Sequence, residues 1–227
     1  MTADAASLLI ALQFADSAFP SGAFAFSWGL EGLVIDRHVD DASTLRAALD
    51  DALRHRWHRF DRVVLARVLA ADGCLPALRA IDDEVDRLTW PAAARAGSRR
   101  AGRALLGVHR RLGHAGAAAY LQDLAGDADR GHQSVVQAIV WRELGLAPAA
   151  LEAISAWSCA NASCSAAIRL NLVGHVGAQQ ALCEARATIA ELLARPVAAD
   201  TPLRGFAPLI EIAMMRHAQR EHRLFMT

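Results

Sequence analysis

Apolar residues recur at three- and four-residue spacing along almost the whole chain, the pattern of helices packed on a shared core. Between Thr44 and Ala71 the positions Leu45, Leu49, Ala52, Leu53, Val63, Val64, Leu65 and Val68 carry it, with Arg and Asp between them. Asp41 and Ser43 are suited to cap that segment, and Asp72-Gly73 to end it. Pro76, Pro91 and Pro148 each stand where a helix can begin, because an N–H in the first turn has no intrahelical partner to lose. The spacing predicts an Arg-laced helix between Pro91 and Gly113. Two shorter helices follow over 116–125 and 132–144, parted by Gly126-Asp127 and Arg130-Gly131. From Pro148 to about Arg195 the chain is Ala-rich and helical, with Gly174 and Gly177 as its weak points.

The two ends are patterned differently. Residues 7–31 open as an amphipathic helix, break at Pro20-Ser21-Gly22, and resume through Phe24, Phe26 and Trp28 to Gly29-Leu30-Glu31. Arg195 to Gly205 reads as a loop holding Pro196 and Pro202, and a last helix follows Pro208 toward Leu224-Phe225. Strand alternation bounded by turns is absent, as are repeats of fixed period and low-complexity linkers. The expectation is an all-α fold, a single compact domain of about ten helices over residues 1–227.

Composition narrows the chemistry. With 54% hydrophobic and 21% charged residues, a chain of 227 can bury a substantial core. A net charge of zero removes bulk attraction to nucleic acid or to an anionic membrane, and no apolar run reaches the ~18 residues of a membrane span. All 24 basic residues are Arg. Without Lys there is neither a P-loop nor a lysine Schiff base, so any nucleotide is expected in a partner's hands. Met1 to Ser7 lacks the charged start of a secretory signal. Cys74, Cys159, Cys164 and Cys183 show no C-x-x-C pair and read as buried small hydrophobes in a reducing, cytoplasmic setting.

The residues raise three kinds of site. His55, His58 and Asp51 share a helical face, but Arg54, Arg56, Arg59 and Arg62 crowd it, which makes it a solvated charged face rather than a metal site. His217 and His222 flank Glu221 one residue too far apart for an inverted zincin motif, so no catalytic zinc is expected; transient metal contact in an assembly stays open, and neither a metal site nor a cofactor is assigned. Ala25-Phe26-Ser27-Trp28-Gly29 is a near miss to a nucleophile elbow. A serine hydrolase at Ser27 is the alternative reading, although the strand that an elbow needs is missing. Arg99, Arg103, Arg169 and Arg223 each carry the planar guanidinium that stabilises phosphoryl transfer when supplied in trans to a GTPase.

Leu12-Gln13-Phe14-Ala15-Asp16-Ser17-Ala18-Phe19-Pro20-Ser21-Gly22-Ala23-Phe24-Ala25-Phe26-Ser27-Trp28-Gly29-Leu30-Glu31 resembles the N-terminal signature Q-x-x-D-S-x-x-P-x-G-x-F-x-x-S-x-G-L-E of the UreF urease accessory family. Ser98-Arg99-Arg100-Ala101-Gly102-Arg103 through Leu112-Gly113 is similar to the family's R-x-x-G-x-x-L-L region. Ser165-Ala166-Ala167-Ile168-Arg169-Leu170 with Gly174 resembles its A-x-R-L-x-x-x-G stretch. His217 with Arg223-Leu224-Phe225-Met226-Thr227 is similar to its terminal H-x-x-x-x-x-R-L-F-x-S. Thr227 stands for the more usual Ser, Trp28 for a common His, and the stretch around His132–Leu144 follows the family less clearly.

The resemblance implies a non-catalytic, all-helical chaperone of nickel-centre assembly. Such a protein binds UreD (also called UreH), forms a homodimer within that complex, recruits the GTPase UreG and docks on apo-urease for GTP-dependent nickel insertion. Under this reading His217, Arg223, Leu224, Phe225 and Glu31 are the candidate partner contacts, with residues 217–227 as a partner-contacting tail. Gln13, Asp16, Ser17, Pro20, Gly22, Phe24, Ser27, Gly29 and Leu30 form the structural motif, short polar groups beside Pro and Gly being suited to bond local backbone.

Overall fold

The computed structural model describes residues 5–16, 18–20, 22, 25–205, 207–221, 224 and 225. Its helices are α1 (Ala5–Ala15), α2 (Leu30–Ile35), α3 (Ala42–Asp51), α4 (Arg62–Ala70), α5 (Leu75–Leu88), α6 (Ala92–Arg111), α7 (Ala115–Asp123), α8 (Gln133–Glu143), α9 (Pro148–Arg169), α10 (His175–Leu193) and α11 (Pro208–Ala218). A π-helical stretch, Ala52–Asp61, joins α3 to α4 without a break, and counting that run as one gives ten helices among the described residues. No strand occurs among the described residues, so the fold is all-α.

The helix limits follow local chemistry. Asp41 caps α3 reciprocally with Thr44: the Asp41 carboxylate accepts the Thr44 N–H at 2.8 Å, and the Thr44 hydroxyl accepts the Asp41 N–H at 3.0 Å. Ser43 lies inside the helix instead of at its cap. Pro76 and Pro148 take first-turn positions in α5 and α9, and Pro91 is the residue before α6. Between α9 and α10 the left-handed residue is Asn171, at φ 54°. The Leu172 N–H reaches back to the Ala167 carbonyl there, closing the helix end. Gly174 precedes α10, whereas Gly177 stays within it.

Three apolar clusters hold the bundle. The largest surrounds α4 and α8, where Val63, Val64, Leu65 and Val68 meet Val135, Val136, Val140 and Trp141. A second joins Leu49, Leu53 and Trp57 to α9 and α10, whose Ala156, Ala160, Ala178 and Ala181 let the two helices close on one another. The third gathers Leu30, Leu33, Leu45, Ala167, Ala213 and Phe225.

Two surface expectations are corrected. Arg62 is fully buried rather than solvated. It is bonded to Glu152 at 2.7 Å and to the Leu192 carbonyl at 2.7 Å. Cys74 and Cys183 are exposed, and only Cys164 is fully buried.

Candidate functional site

Left-handed backbone at Trp28 and Gly29 turns the chain into α2 and aims Glu31 at the C-terminal segment. A β-carbon on Gly29, at φ 93°, would stand 2.6 Å from Ile210 Cγ1, so only glycine meets both the turn and the close packing of α11. The buried Glu31 carboxylate then accepts two backbone N–H groups, from Leu224 at 2.7 Å and from Phe225 at 2.9 Å. His217 Nε2 lies 2.8 Å from the same carboxylate, off the line of a hydrogen bond. Phe225 is buried in the third cluster, and the Arg169 guanidinium covers its ring 4.1 Å from the centroid. The structure thus brings Glu31, His217, Phe225 and Arg169 into one clasp, while Leu224 faces solvent.

The rest of the N-terminal motif is arranged around the turn. Gln13 is exposed on α1. Asp16 makes an Asx turn, its carboxylate accepting the Ala18 N–H at 2.7 Å. Pro20 and Gly22 are exposed in the break, and Leu30 is buried. Ser17, Phe24 and Arg223 lie outside the described residues. Ser27 is buried, and its hydroxyl accepts the Glu31 N–H at 3.3 Å. It precedes a helix in an all-helical setting, and nothing in this geometry supports the hydrolase reading.

A cavity of about 450 Å³ opens beside the clasp, walled by Phe14, Phe19, Trp28 and Phe225 and floored by the π-helical stretch and α9. Asp61 faces it; burial pushes its carboxyl pKa up, against the pull of Arg56 and a hydrogen bond from Ser134. Burial raises the Cys159 thiol to about 12, so it stays protonated and unreactive at neutral pH.

Sequence reasoning missed a second polar centre, which explains the R-x-x-G block. Asp82 is fully buried, and accepts from the Tyr120 hydroxyl at 2.6 Å, the Gly131 N–H at 2.7 Å and the His132 N–H at 3.1 Å. His132 Nε2 meets Asp86 at 3.0 Å, and Arg99 bonds the same carboxylate. Arg103 donates to the carbonyls of Asp127 and Arg130. Gly102 lies so close to the Gly131 carbonyl that a β-carbon there would stand 2.1 Å away. Arg99, Gly102 and Arg103 therefore fasten the 124–132 loop onto α6. The pairing of acids in α5 with this loop was the available signal, but local sequence does not reveal it.

His55 pairs with Asp51 at 3.7 Å, and no group of three metal-ligating side chains is found among the described residues. No described helix is long and apolar enough to cross a membrane.

The UreF family profile matches residues 39–186. Relatives described as "Urease accessory protein UreF" are similar over nearly their full lengths. The one from Mycolicibacterium vanbaalenii is 34% identical, covering 96% of this chain and 98% of the relative. One from Cereibacter sphaeroides is 32% identical over 98% and 99%, and that from Kocuria rhizophila 29% over 98% and 97%.

Proposed function

This chain belongs to the UreF family of urease accessory proteins, and from that premise we propose that it is a non-catalytic scaffold for nickel-centre assembly. It bridges UreD (UreH) and the GTPase UreG, as a homodimer within the complex, and serves GTP-dependent nickel insertion into apo-urease in the cytoplasm. The clasp is the observation that best supports this reading. Parts of the two end motifs, far apart in sequence, are drawn to one place, where the Glu31 carboxylate holds the Leu224 and Phe225 N–H groups beside His217.

Buried anchors set the surface that a partner reads. Beside them Leu224 is exposed, and α11 exposes Leu209, Ile212 and Met215 at helical spacing. Apolar side chains held on a rigid helix present contact area with little ordering cost.

Copurification with UreD and UreG, before and after deletion of residues 217–227, tests the proposal. UreD retained with UreG lost places the tail at the GTPase contact. Failure of the intact chain to associate with UreD overturns the scaffold reading.

A further inference from the structure

The cavity beside the clasp combines aromatic walls with a small polar corner. Phe14 and Phe19 meet edge to face at 4.9 Å between centroids, and the His109 ring backs them both. Phe26 tilts against Trp28 at 5.2 Å, and all four rings line the space of about 450 Å³. Pro20 and Gly22, exposed in the N-terminal break, stand at its edge. The polar corner comes from α8. Ser134 bonds the Asp61 carboxyl, and Gln137 follows one turn later on the same helix face, ~5–6 Å further along. Gln137 is only 8% exposed and lines the cavity, yet its carboxamide has no hydrogen-bond partner among the described residues. A buried amide in that state calls for a partner from whatever fills the space.

We propose that this cavity binds a small, neutral, planar aromatic molecule carrying an adjacent N–H and C=O, as in a lactam. The Gln137 carboxamide donates to the ligand carbonyl. Asp61 accepts the ligand N–H, which a carboxyl group does with or without its own proton. The flat body packs against the rings by offset stacking and edge-on contact. The volume lies within the range of small-molecule sites, as does the mixture of apolar walls with a few convergent polar groups.

Charge decides between ligand classes. Arg56 Nε stands 3.5 Å from the Asp61 carboxylate and already balances it, so a cation gains little there. An anion would face Asp61 itself. A neutral head with one donor and one acceptor meets both Asp61 and Gln137 without bringing a charge into a buried place. The site is independent of the urease-assembly reading.

Isothermal titration calorimetry of the full chain with isoquinolone tests this, against naphthalene, which has the same flat shape without the N–H and C=O. The expected result is saturable binding of one isoquinolone per chain. Affinity falls roughly tenfold in Gln137→Leu, and further for naphthalene, which loses both hydrogen bonds. It is unchanged in His55→Ala, a residue outside the cavity lining. Gln137→Leu removes an amide that bonds nothing within the fold, and the naphthalene comparison uses the unaltered protein, so neither arm depends on a damaged structure. Absence of saturable isoquinolone binding overturns the proposal and leaves a cavity filled by water. Equal affinity for naphthalene, or unchanged affinity in Gln137→Leu, overturns it as well and leaves an apolar space without polar recognition.

Discussion

The Glu31 carboxylate and the Phe225 N–H, 194 residues apart in sequence, meet at 2.9 Å inside the protein. A carboxylate that takes two backbone donors is a strong, charge-assisted anchor. Glu31→Ala leaves the Leu224 and Phe225 N–H groups without it, at about 1–3 kcal/mol for each donor that stays buried. The tail escapes that cost by lifting into water. Trypsin cleavage at Arg220 is therefore expected to accelerate several-fold while helical circular dichroism stays unchanged. Glu31→Gln, which keeps one accepting oxygen, falls between. Equal cleavage rates in all three proteins would refute the anchor.

Gly102 and Gly107 lie on the same helix and separate two effects of glycine. A β-carbon at Gly102 meets the Gly131 carbonyl at 2.1 Å, and backbone cannot rotate out of the way as a side chain can. Gly102→Ala should cost about 1–3 kcal/mol through overpacking. At Gly107 nothing lies within 4 Å, so Gly107→Ala should stabilise by about 0.5–1 kcal/mol through helix propensity. Urea midpoints that move in the same direction for both variants would contradict this assignment.

Asp82 is the hub of the second polar centre. Tyr120→Phe removes one of its three donors and should cost about 1–2 kcal/mol. Asp82→Ala also strands the Gly131 and His132 N–H groups, so it should cost more and loosen the 124–132 loop selectively. Hydrogen exchange at residues 126–132, compared with α4, reads that selectivity. Uniform loss of protection would point to global destabilisation instead.

Helices were legible because their signals are local. The Asp41 cap, the Pro starts at 76 and 148 and the loop from Arg195 to Gly205 depend on neighbours within one turn. The division of the 148–195 segment was legible only in part: Gly174 marked it, but Asn171 supplies the left-handed turn. The π-helical stretch escaped, since its side-chain pattern differs little from that of an α-helix over ten residues. Arg62 and Asp82 escaped for a different reason. A charged residue on a helical pattern reads as solvent-facing until its partner is known, and Glu152 and Tyr120 lie far along the chain. The end motifs were legible as a resemblance, whereas their meeting through Glu31 is a tertiary fact that no spacing encodes.

His109 gives the fold an acid sensitivity whose sign is fixed. Burial and the neighbouring His114 lower its pKa from 6.5 to about 4, with Glu143 opposing. The unfolded chain then binds a proton that the folded chain refuses, so stability from this group is fully present above pH 6.5. It is lost progressively as pH falls toward 4, up to ~3 kcal/mol at 1.36 kcal/mol per pKa unit. His58 and His132 are shifted down as well and act in the same direction. His109→Phe keeps an aromatic ring against Phe14 and Phe19 but cannot titrate. Its urea midpoint should therefore fall less steeply than the parent's between pH 6.5 and 4.5. Parallel pH profiles for the two proteins would assign the acid sensitivity to other groups.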